Sequence, residues 1–187
     1  IDRRTASVSD SRRTRSLGSA RSTIFAAAVV AASSVAPASA QVFNCGTDCH
    51  VIPAFAQVYD GNYGPLLAGH VYVFLGVGNV PSGQTLTIGA GAVLKFPSAA
   101  SFQCDGVVLA NGAAAAPIIA TSFMDDVVAD HNGDGGATSL AAGQWRGLRF
   151  QPLASASILQ YVVVRGAGQK IGAGPEPAIA LNSSPIT

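Results

Sequence analysis

The chain has 187 residues, a formal charge of +1, few charged (11%) or aromatic (7%) side chains, and 21 glycines. That length allows one domain plus a leader, and the composition suits short strands and tight turns better than a helical bundle. Beyond residue 40, five basic side chains (Lys95, Arg146, Arg149, Arg165, Lys170) face eight acidic ones, about −3, which excludes a basic surface for nucleic acid.

The first forty residues read as an export signal. Arg3, Arg4, Arg12, Arg13, Arg15 and Arg21 precede the apolar run Ile24–Ala32, and Ala38-Ser39-Ala40 supplies a small-residue exit. A basic region, a short apolar core and a small-x-small site make a secretory signal peptide. The expected cut follows Ala40 and leaves Gln41 first, in a secreted or cell-surface protein. The apolar run is too short for a stable membrane span.

Residues 41–70 form a mixed, Gly-punctuated lead-in segment. It holds Cys45 and Cys49, close enough for a small disulfide loop in an oxidising compartment; Cys104 is then left over. One close pair falls short of the two that a structural zinc site wants, so a disulfide or free thiols are expected there.

From residue 71 to 187 the rhythm is regular. Short apolar runs recur as "HVYVFLG", "QTLTIG", "AVLKF", "GVVLA", "PIIATS", "GLRF", "ILQYVVVRG" and "AIALN", each bounded by turn-forming residues. Leu86 to Val107 and Leu94 to Ile118 repeat at about two dozen residues, within the range of solenoid repeats. No sustained helical period appears. The expected core is Leu86, Ile88, Val93, Leu94, Val107, Leu109, Ile118, Leu148, Phe150, Leu159 and Val162, with Trp145 and Tyr161 as packing aromatics.

The segments "VPSGQTLTIGAGAVLKF", "GVVLANGAAAAPIIATS", "GQWRGLRF" and "ILQYVVVRGAG" resemble successive rungs of bacterial secreted right-handed parallel β-helix proteins, the pectate-lyase-like class. The resemblance implies an all-β solenoid over 71–187. "LNSSPIT" closes the sequence in mid-rhythm without a polar cap, so the solenoid is expected to be incomplete at its C-terminus. For activity it implies little, because the class holds lyases, hydrolases and adhesins alike. Two readings follow: a non-catalytic exported β-helix that contacts polysaccharide or a cell surface, or the N-terminal part of a polysaccharide lyase or glycoside hydrolase.

Candidate chemistry is sparse. Asp125 and Asp126 are the one adjacent carboxylate pair, but neighbours on an extended strand point to opposite faces and cannot serve one bond. They read as the solvated lip of a loop, and Lys170 and Glu176 as surface charges. His70 and His131 have no nearby Ser or Cys that would act as nucleophile, so no catalytic residue is assigned. In "DHNGDGG", Asp130, Asn132 and Asp134 fall at alternate positions among glycines, the opening half of a calcium loop. Ala141 stands where the bidentate Glu of a complete loop belongs. A weak, structural Ca2+ site and an ion-free Asp/Asn/Gly turn are the two readings.

Overall fold

The computed structural model describes residues 47–128, 130–172, 174 and 176–182. The expected signal peptide, its cleavage site and Cys45 lie outside these residues. The described part belongs to the compact unit Ser39–Thr187.

It is all-β. The strands are β1 Cys49–Ile52, β2 Ala56–Gln57, β3 Tyr59–Asp60, β4 Tyr63–Gly64, β5 Val71–Phe74, β6 Gly78–Val80, β7 Thr85–Ile88, β8 Val93–Phe96, β9 Ser101–Cys104, β10 Val107–Asn111, β11 Ile118–Ser122, β12 Gly147–Phe150, β13 Ile158–Gln160, β14 Val162–Val164 and β15 Ile179–Leu181. The one helical turn among the described residues is the 3-10 segment Pro152–Ala154, and no helix there is long and apolar enough to cross a membrane.

Three parallel sheets carry the fold. The first is β1-β5-β8-β11-β14, the second β2-β6-β9-β12-β15 and the third β7-β10-β13, while β3 and β4 form a small ladder of their own. From β5 on, the chain visits the three sheets in a constant cyclic order, so strands paired within a sheet are one full circuit apart. Every ladder among the described strands is parallel; antiparallel contacts are confined to isolated bridges such as Ala113 with Ala116. Parallel strands cannot be joined by a two-residue hairpin, and the arrangement is compatible with a β-helix. Pairing begins at Cys49, inside the segment that sequence alone left as a lead-in.

In-register stacking decides which side chains face inward. Leu86 pairs with Val108 and Ile88 with Ala110, so Val108 and Ala110 are buried while Val107 and Leu109 are only half-buried. The expected phase of β10 is therefore corrected by one residue, which in a strand exchanges the two faces. Leu86, Ile88, Leu94, Ile118, Leu148 and Phe150 lie in the core as expected, and Leu159 and Val162 pack against it from the last circuit. An aromatic stack runs through several levels: Phe74 on Phe96 at 4.7 Å, Phe96 on Trp145 at 4.4 Å. Gly78 makes room for it, because a Cβ there would stand 2.6 Å from the Phe74 ring. Trp145 is fully buried, whereas Tyr161 is 54% exposed, so only the first of the two expected packing aromatics packs.

Strand β8 is buried on both faces. Leu94 and Phe96 point into the core, while Val93 and Lys95 stand in the outward columns, Lys95 beside Val73 and Thr121. That outer face of the first sheet borders the long connection between β11 and β12, where the candidate site lies.

Candidate cation loop and the charged cluster at its base

The connection from Phe123 to Arg146 carries the Asp/Asn/Gly motif. Its turns are closed by its own acidic side chains. Asp130 accepts the Gly133 N–H on Oδ1 and the Gly135 N–H on Oδ2, both at 3.0 Å. Asp134 Oδ1 accepts from Gly136 and Ala137 at 2.9 and 2.8 Å. Gly133, Gly135 and Gly136 adopt φ of 72°, 71° and 81°, a region that favours glycine. The motif is thus a run of Asx-type turns in which backbone N–H groups solvate the carboxylates.

Asn132 is engaged within the loop. Its Oδ1 accepts the Asp134 N–H at 3.1 Å and its Nδ2 donates to Thr138 Oγ1 at 2.7 Å. The carboxylate that joins Asp130 and Asp134 is Asp126: one oxygen from each of the three lies within 4.8 Å of the others. Asp126 Oδ2 accepts from Thr138 at 3.1 Å, while its Oδ1 is buried with no protein partner. Hydrogen bonding from the Thr138 side chain, helped by backbone N–H groups, holds the Asp134 carboxyl below its ordinary pKa. Three clustered carboxylate oxygens are hard ligands of the kind Ca2+ takes.

Asp125 is fully buried, not part of a solvated lip. Its Oδ2 accepts from Thr121 Oγ1 at 2.6 Å and lies 3.3 Å from Arg165 Nη1, and its backbone carbonyl accepts from Lys95 Nζ at 2.9 Å. Lys95 and Thr121 are register partners on β8 and β11, and Arg165 directly follows β14 in the same sheet. Three consecutive circuits therefore meet one residue, Thr121 and Arg165 at its carboxylate and Lys95 at its backbone carbonyl. Burial lowers the Lys95 pKa, against the opposing pull of Asp125, Asp126 and Asp130.

Glu176 is likewise more than a surface charge. Both its oxygens take hydrogen bonds from Arg146 at 3.2 Å, and Arg149 Nη2 pairs with one of them. The Arg146 side chain, backed by both arginine charges, keeps the Glu176 carboxyl below its ordinary range. Lys170 is exposed, as expected. His70 bonds to His50 (Nδ1 to Nε2, 3.0 Å), and His131 is buried. Cys49 is disulfide-bonded. Cys104 is a buried free thiol, and its surroundings push its pKa up to about 11, so it is a poor nucleophile.

No known protein family, curated protein or solved structure matches the chain.

Sequence reasoning found Asp130 and Asp134 because they sit within one loop. It missed Lys95, Thr121 and Arg165, which are far apart in sequence. The usable signal was the repeat length itself: residues one circuit apart on one sheet face become neighbours.

Proposed function

We propose that this chain is an exported, non-catalytic right-handed parallel β-helix of the pectate-lyase-like kind, which presents its outer faces to polysaccharide or a cell surface. The observation that carries the fold reading is the cyclic strand order with apolar columns in register; successive turns of a solenoid require that order. The non-catalytic reading is supported by where the carboxylates stand. Asp125 is fully buried and committed to Thr121 and Arg165, and Asp130 and Asp134 are committed to backbone N–H groups. Glycosidic cleavage needs two carboxyls flanking an open bond. A lyase reading would rest on Lys95, Asp125 and Arg165 sharing one sheet face, but Lys95 and Asp125 are shut away from any polymer.

In this reading Asp126, Asp130 and Asp134 hold Ca2+ as a weak structural staple on the insertion. The ion supplies charge neutralisation, with no chemical step. The test is a panel of pectate and related polymers with the purified protein. Retention on a polymer without release of shorter or unsaturated products supports the proposal. Turnover that disappears in Asp126→Ala overturns it.

A further inference from the structure

Two histidines stand apart from the loop and the charged cluster. His50 lies on β1, level with Tyr72 on β5, and its ring stacks on the Tyr72 ring with centres 5.1 Å apart and planes 19° from parallel. Tyr72 is itself buried, and its hydroxyl accepts the Leu67 N–H at 2.6 Å. His70 stands two residues before Tyr72, so it projects from the same face of the sheet. The Val93 N–H bonds to the His70 carbonyl at 2.9 Å, which carries the parallel ladder back to that residue. Register between neighbouring circuits thus brings together imidazoles twenty positions apart in sequence.

The two rings meet nitrogen to nitrogen. His50 Nε2 and His70 Nδ1 are 3.0 Å apart, the ring centres are 5.2 Å apart and the planes are 18° from parallel. The nitrogens are closer than the centres by almost the full reach of both rings. The contact therefore runs along the line of centres and lies near both ring planes, where the nitrogen lone pairs point. A neutral imidazole carries one N–H and one lone pair, so a single proton holds such a pair. A metal ion in place of that proton takes both lone pairs. Metal–imidazole bonds of about 2.0–2.1 Å in tetrahedral geometry set the two nitrogens ~3.3 Å apart. The pair need open by only a few tenths of an ångström, with a tilt of each ring toward the ion.

We infer that His50 and His70 form a two-nitrogen site for a divalent transition metal, distinct from the carboxylate loop. Imidazole suits Zn2+, Ni2+ and Cu2+, whereas the all-oxygen group of Asp126, Asp130 and Asp134 suits Ca2+. Among the transition metals Cu2+ should bind most tightly, by the general order of divalent affinities. His50 also lines an open cleft of about 630 Å3 with Tyr63, Leu67 and Tyr72, which leaves room for the waters that complete the coordination shell. A ligating histidine generally donates its other ring N–H to a carboxylate or carbonyl that fixes it. Neither ring has such a second hydrogen-bond partner among the described residues, and His50 is held instead by its stack on Tyr72. The site is therefore expected to be weaker than a four-ligand structural zinc centre.

The test is calorimetric titration of the purified chain, made without a polyhistidine tag, with Zn2+ and with Cu2+. One equivalent is expected at the tightest site, and excess Ca2+ should leave its affinity unchanged. His50→Ala and, separately, His70→Ala should each weaken binding at least tenfold, because one imidazole alone cannot chelate. Electron paramagnetic resonance of the bound Cu2+ should show two imidazole nitrogens. Circular dichroism identifies any variant that has lost the fold, and the other variant then decides. No binding of either ion up to millimolar metal overturns the proposal. Unchanged affinity in both histidine variants also overturns it, as does displacement of the bound ion by Ca2+, which would place it on the carboxylates.

Discussion

Truncating Asp125 to alanine is the sharpest probe of how the insertion is held. The side chain is fully buried, and its loss removes three things. The Thr121 hydroxyl at 2.6 Å loses its acceptor, worth about 1 kcal/mol net. The Arg165 pair at 3.3 Å is lost, but that guanidinium is 29% exposed, so water takes up much of its cost. Lys95, fully buried, keeps its backbone acceptor but loses one of the three carboxylates, with Asp126 and Asp130, whose charges oppose its neutralisation by burial. Breaking a buried charge arrangement on one side typically costs about 3–5 kcal/mol. Because Arg165 is screened and Lys95 can shed its proton, the lower end, about 3 kcal/mol, is expected here. For a domain of this size that is a fall in Tm of roughly 6–12 °C. Thr121→Val, which keeps the carboxylate, should cost only about 1 kcal/mol. Urea unfolding at pH 7 measures both. A loss below 1 kcal/mol for Asp125→Ala, or an equal loss for the two variants, would refute the buried cluster as the anchor of the loop.

Calcium should stabilise the protein weakly. Without a bidentate Glu the site is expected near 10⁻⁴–10⁻³ M as in extracellular modules, so millimolar Ca2+ adds roughly 0.4–1.4 kcal/mol. Calorimetry with and without Ca2+ should show a small rise in Tm that Asp134→Ala abolishes; no dependence up to several millimolar leaves the loop as a turn. The inward phase of the strands is tested by pairing Leu86→Ala with Val107→Ala. The first empties a fully buried position and should cost about 2–5 kcal/mol, the second under about 1 kcal/mol, and comparable losses would contradict the register. The acid limb of stability should depend on Glu176. Its folded pKa is depressed, so it contributes stability above its ordinary value of 4.5 that is lost as pH falls through the folded value. Glu176→Gln should therefore flatten the stability–pH curve below about pH 4.5 and leave its slope near pH 7 unchanged.

How much was legible in the sequence follows from how local each feature is. Alternating apolar residues between glycine-rich turns announce short strands wherever they occur, so the all-β class and most core positions could be read directly. The glycine and aspartate spacing of 130–136 also dictates its own turns, since each carboxylate there bonds to a backbone group two to five residues away. What sequence could not decide was which residues share a level. The phase of β10 was set by stacking on Leu86 and Ile88 in the preceding circuit, and Val-Val-Leu-Ala is apolar enough on both faces to accept either phase. Lys95, Thr121, Asp125 and Arg165 look like scattered polar residues until parallel register sets three strands side by side. Asp126 joined the acidic group, rather than lining an open loop edge, because the chain folds back so that residues 126 and 134 meet. Strand propensity and turn chemistry act over a few residues and are written in them. The charged cluster depends on contacts one full circuit apart, which exist only once the sheets have formed.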